Sequence, residues 1–489
     1  MKSHSELFDE LVEIYKTYCN NDLNLITKAY ETAQLVYYNE YRLSKIPFIN
    51  HCLNTAILCA EFQLDAETLA AAILHDAFTF GITKEEIVKE VGKGVADFLV
   101  NLEKIKTIRN RYLNINISEK SLYEDYLRRM ILVIAKDIRV VLLRLFEKYD
   151  SIHDCEFLSN EKKEQVIKNM LDIYAPLAEM LGLFSLKTKM ENVAFEKQNP
   201  LVFSKYKKIL KLQKSSNAKK FEDFERKLKS DLAINNIPYV KVYGRVKGEY
   251  SFYNKVKKYI DKYHCSEADA INLIHDKIAF SLILHTENDC YLAYSLLKHK
   301  FNLIDEETDD YIKLPKPNGY KSIHTIIDLG GKNYVEVQIK TNEMHEHNEY
   351  GGASHAFYKL YGVSKVSEDK ISFLKNLINW QQNLKMGNKE FTQLEATIIT
   401  ITPKGDVIEL PIGSTVLDFA YYIHTAIGEK AVRAKVNGNL VKINQELHTG
   451  DVVEVITDRN VKGPKHEHLN FVTTKEARLI IKKKVRGKI

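Results

Sequence analysis

The sequence predicts a multidomain protein of mixed α and α/β class, in three successive units: all-helical, mixed α/β, and small and β-rich. Three observations carry this reading. Residues 1–195 repeat apolar side chains at three- and four-residue spacing, as in Leu53, Ile57 and Leu58 and again in Leu69, Ile73 and Leu74, the period of helices that bury one face. From about residue 236 the pattern changes to short β-branched and aromatic runs, YVKVYG, KIAFSLIL, SIHTIID and NYVEVQI, separated by helical stretches such as CYLAYSLLKHKFN. After the polar segment around Gln381 to Gln393, ATIITITPKGDVIELPIGSTVLDFAYYIHTAIG reads as a hairpin followed by one helix, the order of a β-grasp-like module. These changes divide the chain at 1–195, 196–392 and 396–460, with a basic helical tail over 461–489.

The bulk properties agree with this division. A chain of 489 residues has room for several cores, at ~150 residues per domain. Hydrophobic content of 45% with 28% charged residues excludes the disordered and fibrous classes. The first residues, MKSHSELFDELVEIY, carry acids and no apolar stretch, so a secretory signal is not expected. No apolar run approaches the ~20 residues that cross a bilayer, and the expectation is a cytoplasmic protein with no membrane partner. The six cysteines form no CxxC and no zinc-ligand spacing, and read as reduced, packed thiols. The net charge of +6 matches the excess in the last segment, TTKEARLIIKKKVRGKI, with seven Lys/Arg against one Glu. That tail is either a solvated helix end or a contact for a polyanion such as RNA.

The middle unit holds the chemistry. In the strand VEVQIK alternation sends Val335, Val337 and Ile339 to one face and Glu336, Gln338 and Lys340 to the other. A carboxylate fixed on a strand can hold Mg²⁺ or take a proton from a hydroxyl, although alone this is also an ordinary solvent-facing strand. Upstream, GRVKGEYSFYNK gathers Arg245, Lys247 and Lys255 near glycines, cations suited to a triphosphate. It lacks GxxxxGK[ST] and is no P-loop. Asp276 precedes the strand KIAFSLIL, and LPKPNGYKSIH offers Lys316, Asn318, Tyr320 and His324 around a Pro/Gly turn, with a ring able to stack on a purine. Singly, each is a surface charge or a packed ring; together they point to a nucleotide.

The order GRVK…YSFYNK, Asp276 before a strand, DYIKLPKPNGYKSIHT, VEVQIKT and MHEHNEYGGASHAFYK resembles the RelA/SpoT homologue family of alarmone synthetases. YAPLAEMLGL at 174–183 and NLINWQ at 376–381 extend the resemblance over nearly the whole chain. It implies a nucleotidyltransferase-like synthetase domain that moves pyrophosphate from ATP to the 3′-hydroxyl of GDP or GTP, releasing AMP. It implies ATP held by Arg245, Lys247, Ser251 and Lys255, and Mg²⁺ held by Asp276 and Glu336, with Glu336 also the base. It implies the acceptor nucleotide at Lys316, Asn318, Tyr320, His324 and Gln338, with Tyr320 stacked on guanine. Positioning and charge stabilisation are the main demands of such a transfer. The stretch Glu307-Thr308-Asp309-Asp310, expected as a loop, has the acidic form that in this family accompanies synthetase-only members, although an acidic surface loop would look the same in isolation. Gly248, Ser281 and Lys340 replace a common His, Arg and Arg respectively.

The helical unit resembles the family's HD-type hydrolase, with Arg42, His51, the pair His75-Asp76 and Glu147 at its metal and guanine positions. Such a group would bind Mn²⁺ and activate water. The Glu-Asp pair of the active form is Thr79-Phe80 here, the fourth ligand Asp is Glu147, and a Gly-Glu in the guanine loop is Lys45-Ile46. The expectation is a degenerate hydrolase domain. The last module resembles the TGS domain, which in long family members meets tRNA on the ribosome. His424 is its candidate tRNA contact, or a packed helix histidine, and the family's further C-terminal domains are expected to be lacking. Two alternatives stand beside the synthetase: a bifunctional synthetase and hydrolase, and a non-catalytic ribosome- or RNA-binding regulator.

Overall fold

The structure, a computed structural model, describes residues 2–19, 23–112, 137–350, 375, 397–461 and 463–486, apart from 317, 318 and 332. The chain forms two compact units, Met1–Leu99 with Leu142–Phe357, and Val100–Val141 with Tyr358–Ile489. Among the described residues, the α-helices of the N-terminal half are α1 (His4–Tyr18), α2 (Asn24–Val36), α3 (Phe48–Glu61), α4 (Ala66–Ile73), α5 (Lys84–Val91), α6 (Lys93–Tyr112), α7 (Ile138–Ser151), α8 (Asn160–Asn169), α9 (Ala175–Met180) and α10 (Phe184–Gln198). Their starts are written in the sequence. Ser3 with Glu6 and Thr83 with Glu86 form capping boxes, and Asp65 caps α4 through Thr68 N. α3 is buried on nearly every side, including His51 and Thr55, so its polar residues are held inside rather than offered to water.

Two further helices, α11 (Pro200–Ser216) and α12 (Ala218–Ile234), lead into a five-stranded sheet. Its strands are β1 (Tyr239–Val246), β2 (Ile278–Leu284), β3 (Leu303–Asp310), β4 (Ile323–Asp328) and β5 (Tyr334–Thr341), in the order β1-β2-β5-β4-β3. Only β2 and β5 pair in parallel. α13 (Glu249–Tyr263) and α14 (Glu267–Leu273) connect β1 to β2, α15 (Glu287–Lys300) connects β2 to β3, and α16 (Asn342–Tyr350) follows β5. One face of the sheet is apolar: Phe280, Leu282, Leu284, Val337 and Ile339 pack with Phe221, Phe224, Leu228 and Leu232 of α12 and Leu297 of α15. Each such side chain contributes roughly 1.5–3 kcal/mol on burial, which pins the register. A slip of one residue would put Glu336 and Gln338 into that core. The acidic run Glu307–Asp310 is not a loop. It is the end of the edge strand β3, where Asp309 and Asp310 pair with His324 and Ile323 after a register shift. Charges on an edge strand guard it against pairing with another chain.

In the second unit β6 (Thr397–Ile401) and β7 (Val407–Pro411) form the expected hairpin. α17 (Val416–Ile423), α18 (Thr425–Lys430) and the sheet β10-β8-β9 follow, made of β8 (Ala431–Val436), β9 (Asn439–Lys442) and β10 (Val453–Thr457). The basic tail ends in α19 (Lys475–Arg486), which is docked: Val472, Ala477 and Ile481 pack with Leu417, Ala420 and Tyr421. The fully buried Asp418 ties that segment down, accepting from Thr415 N, Thr415 Oγ1, Thr473 N, Thr474 N and Thr474 Oγ1 at 2.8–3.1 Å. All six cysteines are free thiols. Among the described residues no helix is long and apolar enough to cross a membrane.

Candidate active site

The polar face of the five-stranded sheet carries a continuous chain of hydrogen bonds. It begins at Tyr320, whose hydroxyl lies 2.7 Å from His324 Nε2. His324 Nδ1 is 3.1 Å from Glu336 Oε1, so a ring protonated at Nδ1 donates to the carboxylate and accepts from the phenol. Gln338 Nε2 donates to Glu336 Oε2 at 2.6 Å, and Arg245 Nη2 donates to Gln338 Oε1 at 3.0 Å. The register builds this row, since β4 and β5 set His324 opposite Gln338 and alternation puts Glu336 and Gln338 on one face. Burial pushes the Glu336 carboxyl up, but the hydrogen bond and charge of His324, the Gln338 amide and Lys247 outweigh it and hold it down at about 2. Lys340, only 2% exposed, reaches Gln338 Oε1 at 3.4 Å. Burial first, then the nearby Arg245 charge, lowers its ammonium to about 8.

The second node is Asp276. β1 ends at Val246, and Lys247 N still pairs with Lys277 O at 3.0 Å, which holds Lys247 beside the turn before β2. Gly248 then opens α13, so Ser251 and Lys255, four residues apart, share one helix face. Lys247 Nζ and Lys255 Nζ both donate to Asp276 Oδ2, at 2.8 and 2.7 Å. Burial raises the Asp276 carboxyl, and the two ammoniums more than offset this, leaving it below the usual carboxylate range. Its other oxygen, Oδ1, is buried with no hydrogen-bond partner. An orphaned anionic oxygen in a cleft of cations and carboxylates is what a divalent metal would satisfy, so the residues fit Mg²⁺ held by Asp276 and Glu336.

Lys316 lies with its ammonium 4.4 Å from the Tyr311 ring centre and 5.2 Å from that of Tyr320. Asn318 falls outside the described residues. Ser251 is engaged by Glu191 of α10 rather than by the sheet, at 3.2 Å. Beside Arg245 opens a cavity of about 410 Å³ lined by Phe62, Lys241, Tyr243, Arg245, His345 and Glu349.

A separate cluster lies in the helical part. His51 Nε2 and His75 Nε2 are 3.1 Å apart, and Glu147 completes a group whose ligand atoms all lie within 4.8 Å. Asp76 Oδ2 is 3.3 Å from His75 Nε2. Both remaining ring nitrogens are held, His51 Nδ1 by Asp150 at 2.5 Å and His75 Nδ1 by Ala72 O at 2.7 Å. Imidazoles fixed this way present Nε2 to a shared point, the usual support for a metal-ligating His. Glu147, however, also pairs with Arg144 and, at 2.8 Å, with Lys148. Burial pushes its carboxyl up, but those two cations bring it below the usual range. Phe80 packs 4.7 Å from Phe48 and 5.2 Å from Tyr37, and Phe48 lies edge-on to His51 at 5.8 Å. Arg42 pairs with Asp154, its guanidinium 5.9 Å from the Phe48 ring.

Comparison with known proteins gives three successive matches. An HD domain model matches residues 29–184, the "Region found in RelA / SpoT proteins" matches 244–362, and a TGS domain matches 398–457. A GTP pyrophosphokinase of Myxococcus xanthus is 35% identical over 93% of this chain. The chain belongs to the RelA/SpoT family. A guanosine-3′,5′-bis(diphosphate) 3′-pyrophosphohydrolase of Aquifex aeolicus is also 35% identical, over 94% of the chain. The chain spans 59% of the length of the first relative and 64% of the second. Among solved structures, small alarmone synthetase 2 from Bacillus subtilis aligns over 37% of this chain and 95% of its own, at 25% identity and a TM-score of 0.24.

In this RelA/SpoT chain the sheet gathers Arg245, Lys247, Lys255, Asp276, Lys316, Tyr320, His324, Glu336 and Gln338, while His51, His75, Asp76 and Glu147 gather apart from them. Sequence reasoning missed Glu191, Asn192 and Phe184 of α10, which touch Ser251, Tyr250 and Tyr320 of the candidate site. Their only signal is spacing: Phe184, Thr188, Glu191 and Asn192 fall on one helix face. Apart from Phe184 that face is polar, so hydrophobic periodicity passes over it.

Proposed function

We propose that the chain is an ATP:guanosine-nucleotide 3′-pyrophosphotransferase, a (p)ppGpp synthetase, whose HD-type domain does not hydrolyse the product. The observation that carries this reading is the pairing of the Tyr320–His324–Glu336–Gln338–Arg245 row with Lys247, Lys255 and a half-satisfied Asp276. Arg245, Lys247, Ser251 and Lys255 bind the donor triphosphate, and Tyr320 with Lys316, Asn318, His324 and Gln338 orients the acceptor. Mg²⁺ at Asp276 and Glu336 would neutralise charge on the phosphate oxygens. The acceptor 3′-oxygen attacks the β-phosphorus of ATP, the bond from that phosphorus to the α-phosphate oxygen breaks, and AMP leaves. The hydroxyl proton passes to Glu336. A carboxyl held at about 2 is a weak base, so proton acceptance requires His324 or Gln338 to turn from it toward the nucleotide.

Three features support a silent hydrolase: Thr79-Phe80 in place of two acids, the Phe80–Phe48 packing, and the engagement of Glu147 by Arg144 and Lys148. The metal expected there is Mn²⁺. The exposed His424 and the exposed Lys482, Lys483 and Lys484 of α19 support a ribosomal or tRNA partner for the second unit, in a cytoplasmic setting. The test separates labelled products after incubation with ATP and GDP or GTP, and in parallel incubates the protein with ppGpp and Mn²⁺. Transfer of the β,γ-pyrophosphate with release of AMP is expected in the first, and intact ppGpp in the second. No transfer overturns the synthetase reading, and prompt release of pyrophosphate overturns the silent hydrolase.

A further inference from the structure

α16 leans on the turn that carries Lys316 and Tyr320. The turn closes on itself, with Gly319 N donating to Lys316 O at 2.8 Å and Lys316 N donating to Tyr320 O at 3.2 Å. Beyond it the ladder between β4 and β5 starts at Ile323, opposite Ile339. By that register Lys321 would face Thr341, but there β5 ends and α16 begins, with Thr341 Oγ1 accepting from Met344 N at 3.1 Å. The side chain of Asn348 takes the place of the missing strand neighbour. Its Nδ2 donates to Lys321 O at 2.9 Å, and its Oδ1 accepts from Lys321 N at a longer 3.4 Å, the pair of bonds that opposed strand residues exchange.

The grip is firm because α16 is itself anchored. Asn348 is 3% exposed and lies four residues after Met344, which is packed in the core of the sheet, so the two share one helix face. His347 supports the other side of Tyr320. Gly319 has φ +79°, and a Cβ added there would lie 2.9 Å from His347 Nε2, so the turn sits directly against the imidazole. Burial, then the charge of Lys321, holds that ring below its usual pKa. At pH 7 it is a neutral ring packed on backbone, not a cation offered to a phosphate.

We propose that His347 and Asn348 are positioning residues for the acceptor nucleotide: by gripping Gly319 and Lys321 on either side of Tyr320, they hold the Tyr320 ring and the Lys316 ammonium where a guanosine nucleotide meets them. The inference rests on the synthetase reading for the role of the turn, and adds what sets the affinity for the acceptor. A turn in place for only a fraction of the population binds more weakly by that fraction, and saturating acceptor restores it. Losing the grip therefore raises KM for the acceptor while sparing kcat and ATP.

The test titrates the full chain with a fluorescent GDP analogue and, separately, a fluorescent ATP analogue with Mg²⁺, and measures KM and kcat of pyrophosphate transfer. Wild type is compared with Asn348→Ala and His347→Ala. Asn342→Ala is the control, because Asn342 is an exposed residue of the same helix that bonds Glu346 and not the turn. Slow amide exchange over β4 and β5 verifies that each variant is folded, and if one variant is not, the other carries the comparison. Asn348→Ala and His347→Ala are expected to bind the GDP analogue about tenfold more weakly, within the loss that a misplacement of about 1 Å produces. KM for GDP should rise alike, with kcat and ATP binding nearly unchanged and Asn342→Ala matching wild type. Unchanged GDP binding in the folded variants, an equal loss for ATP, a fall in kcat with KM for GDP unchanged, a loss equalled by Asn342→Ala, unfolding of both variants, or no GDP binding by any form overturns the proposal. Product formation by wild type with an unchanged KM for GDP in the variants defeats the positioning role and leaves the synthetase. Weaker GDP binding in the variants with no product from any form defeats the synthetase and leaves a guanosine-nucleotide site positioned by α16.

Discussion

Glu336→Gln separates the fold from the chemistry. The drop of the Glu336 carboxyl from 4.5 to about 2 corresponds to about 3 kcal/mol of preference for the anion, at ~1.4 kcal/mol per pH decade. Because the folded value is the lower one, this stabilisation is complete above about pH 4.5 and fades as the pH falls through about 2. A glutamine keeps the shape and loses the charge. Its amide nitrogen must face either Gln338 Nε2 or His324 Nδ1, both donors now. His324 relieves the clash by moving its proton to Nε2 and donating to the Tyr320 oxygen. The expected cost is therefore about 2–3 kcal/mol at pH 7, read by denaturant unfolding of the ligand-free protein, shrinking below pH 4. Pyrophosphate transfer, measured as labelled product per minute, should fall by about 10²–10⁴, the range for a lost acid–base group. Transfer within tenfold of wild type in folded protein would refute the role of Glu336.

Lys340→Met should stabilise the ligand-free protein by up to about 3 kcal/mol at pH 7, since the folded ammonium, at about 8 against 10.5, is penalised while charged. The gain should shrink between pH 8 and 10.5, where wild-type stability rises, as followed by urea melts. Lys45 has φ +62° in the turn where Lys45 N meets Arg42 O, so Lys45→Gly should raise stability by about 0.5–1 kcal/mol, read as an upward shift in unfolding temperature. Asp418→Ala strands five donors, should cost about 3 kcal/mol or more, and should free α19 for tryptic cleavage between 475 and 486 while wild type resists. Mn²⁺ should raise the unfolding temperature of wild type, His75→Ala should abolish this, and Asp150→Asn should weaken it about tenfold by loosening His51, as measured by metal titration.

Where chemistry follows a short period, the sequence was enough. The period-2 alternation in VEVQIK placed Glu336, Gln338 and Lys340 opposite the core, and the structure has that arrangement, with Val335, Val337 and Ile339 packed inside. The acidic run Glu307–Asp310 misled, because charge density resembles a loop until a neighbouring strand supplies the hydrogen bonds that make it an edge.

What the sequence by itself determined is therefore the inventory and its local order: helical, mixed and β-rich units, cations before an Asp, a carboxylate on a strand, a ring beside a turn. These follow from interactions among residues a few positions apart. Only the tertiary structure decided which groups are already spent on one another. The Tyr320-to-Arg245 row, the two lysines on one oxygen of Asp276, and the contact of Glu191 in α10 with Ser251 in α13 join residues from separate elements. Such pairings depend on strand register and helix packing, which burial of the whole core fixes and no single stretch of sequence encodes.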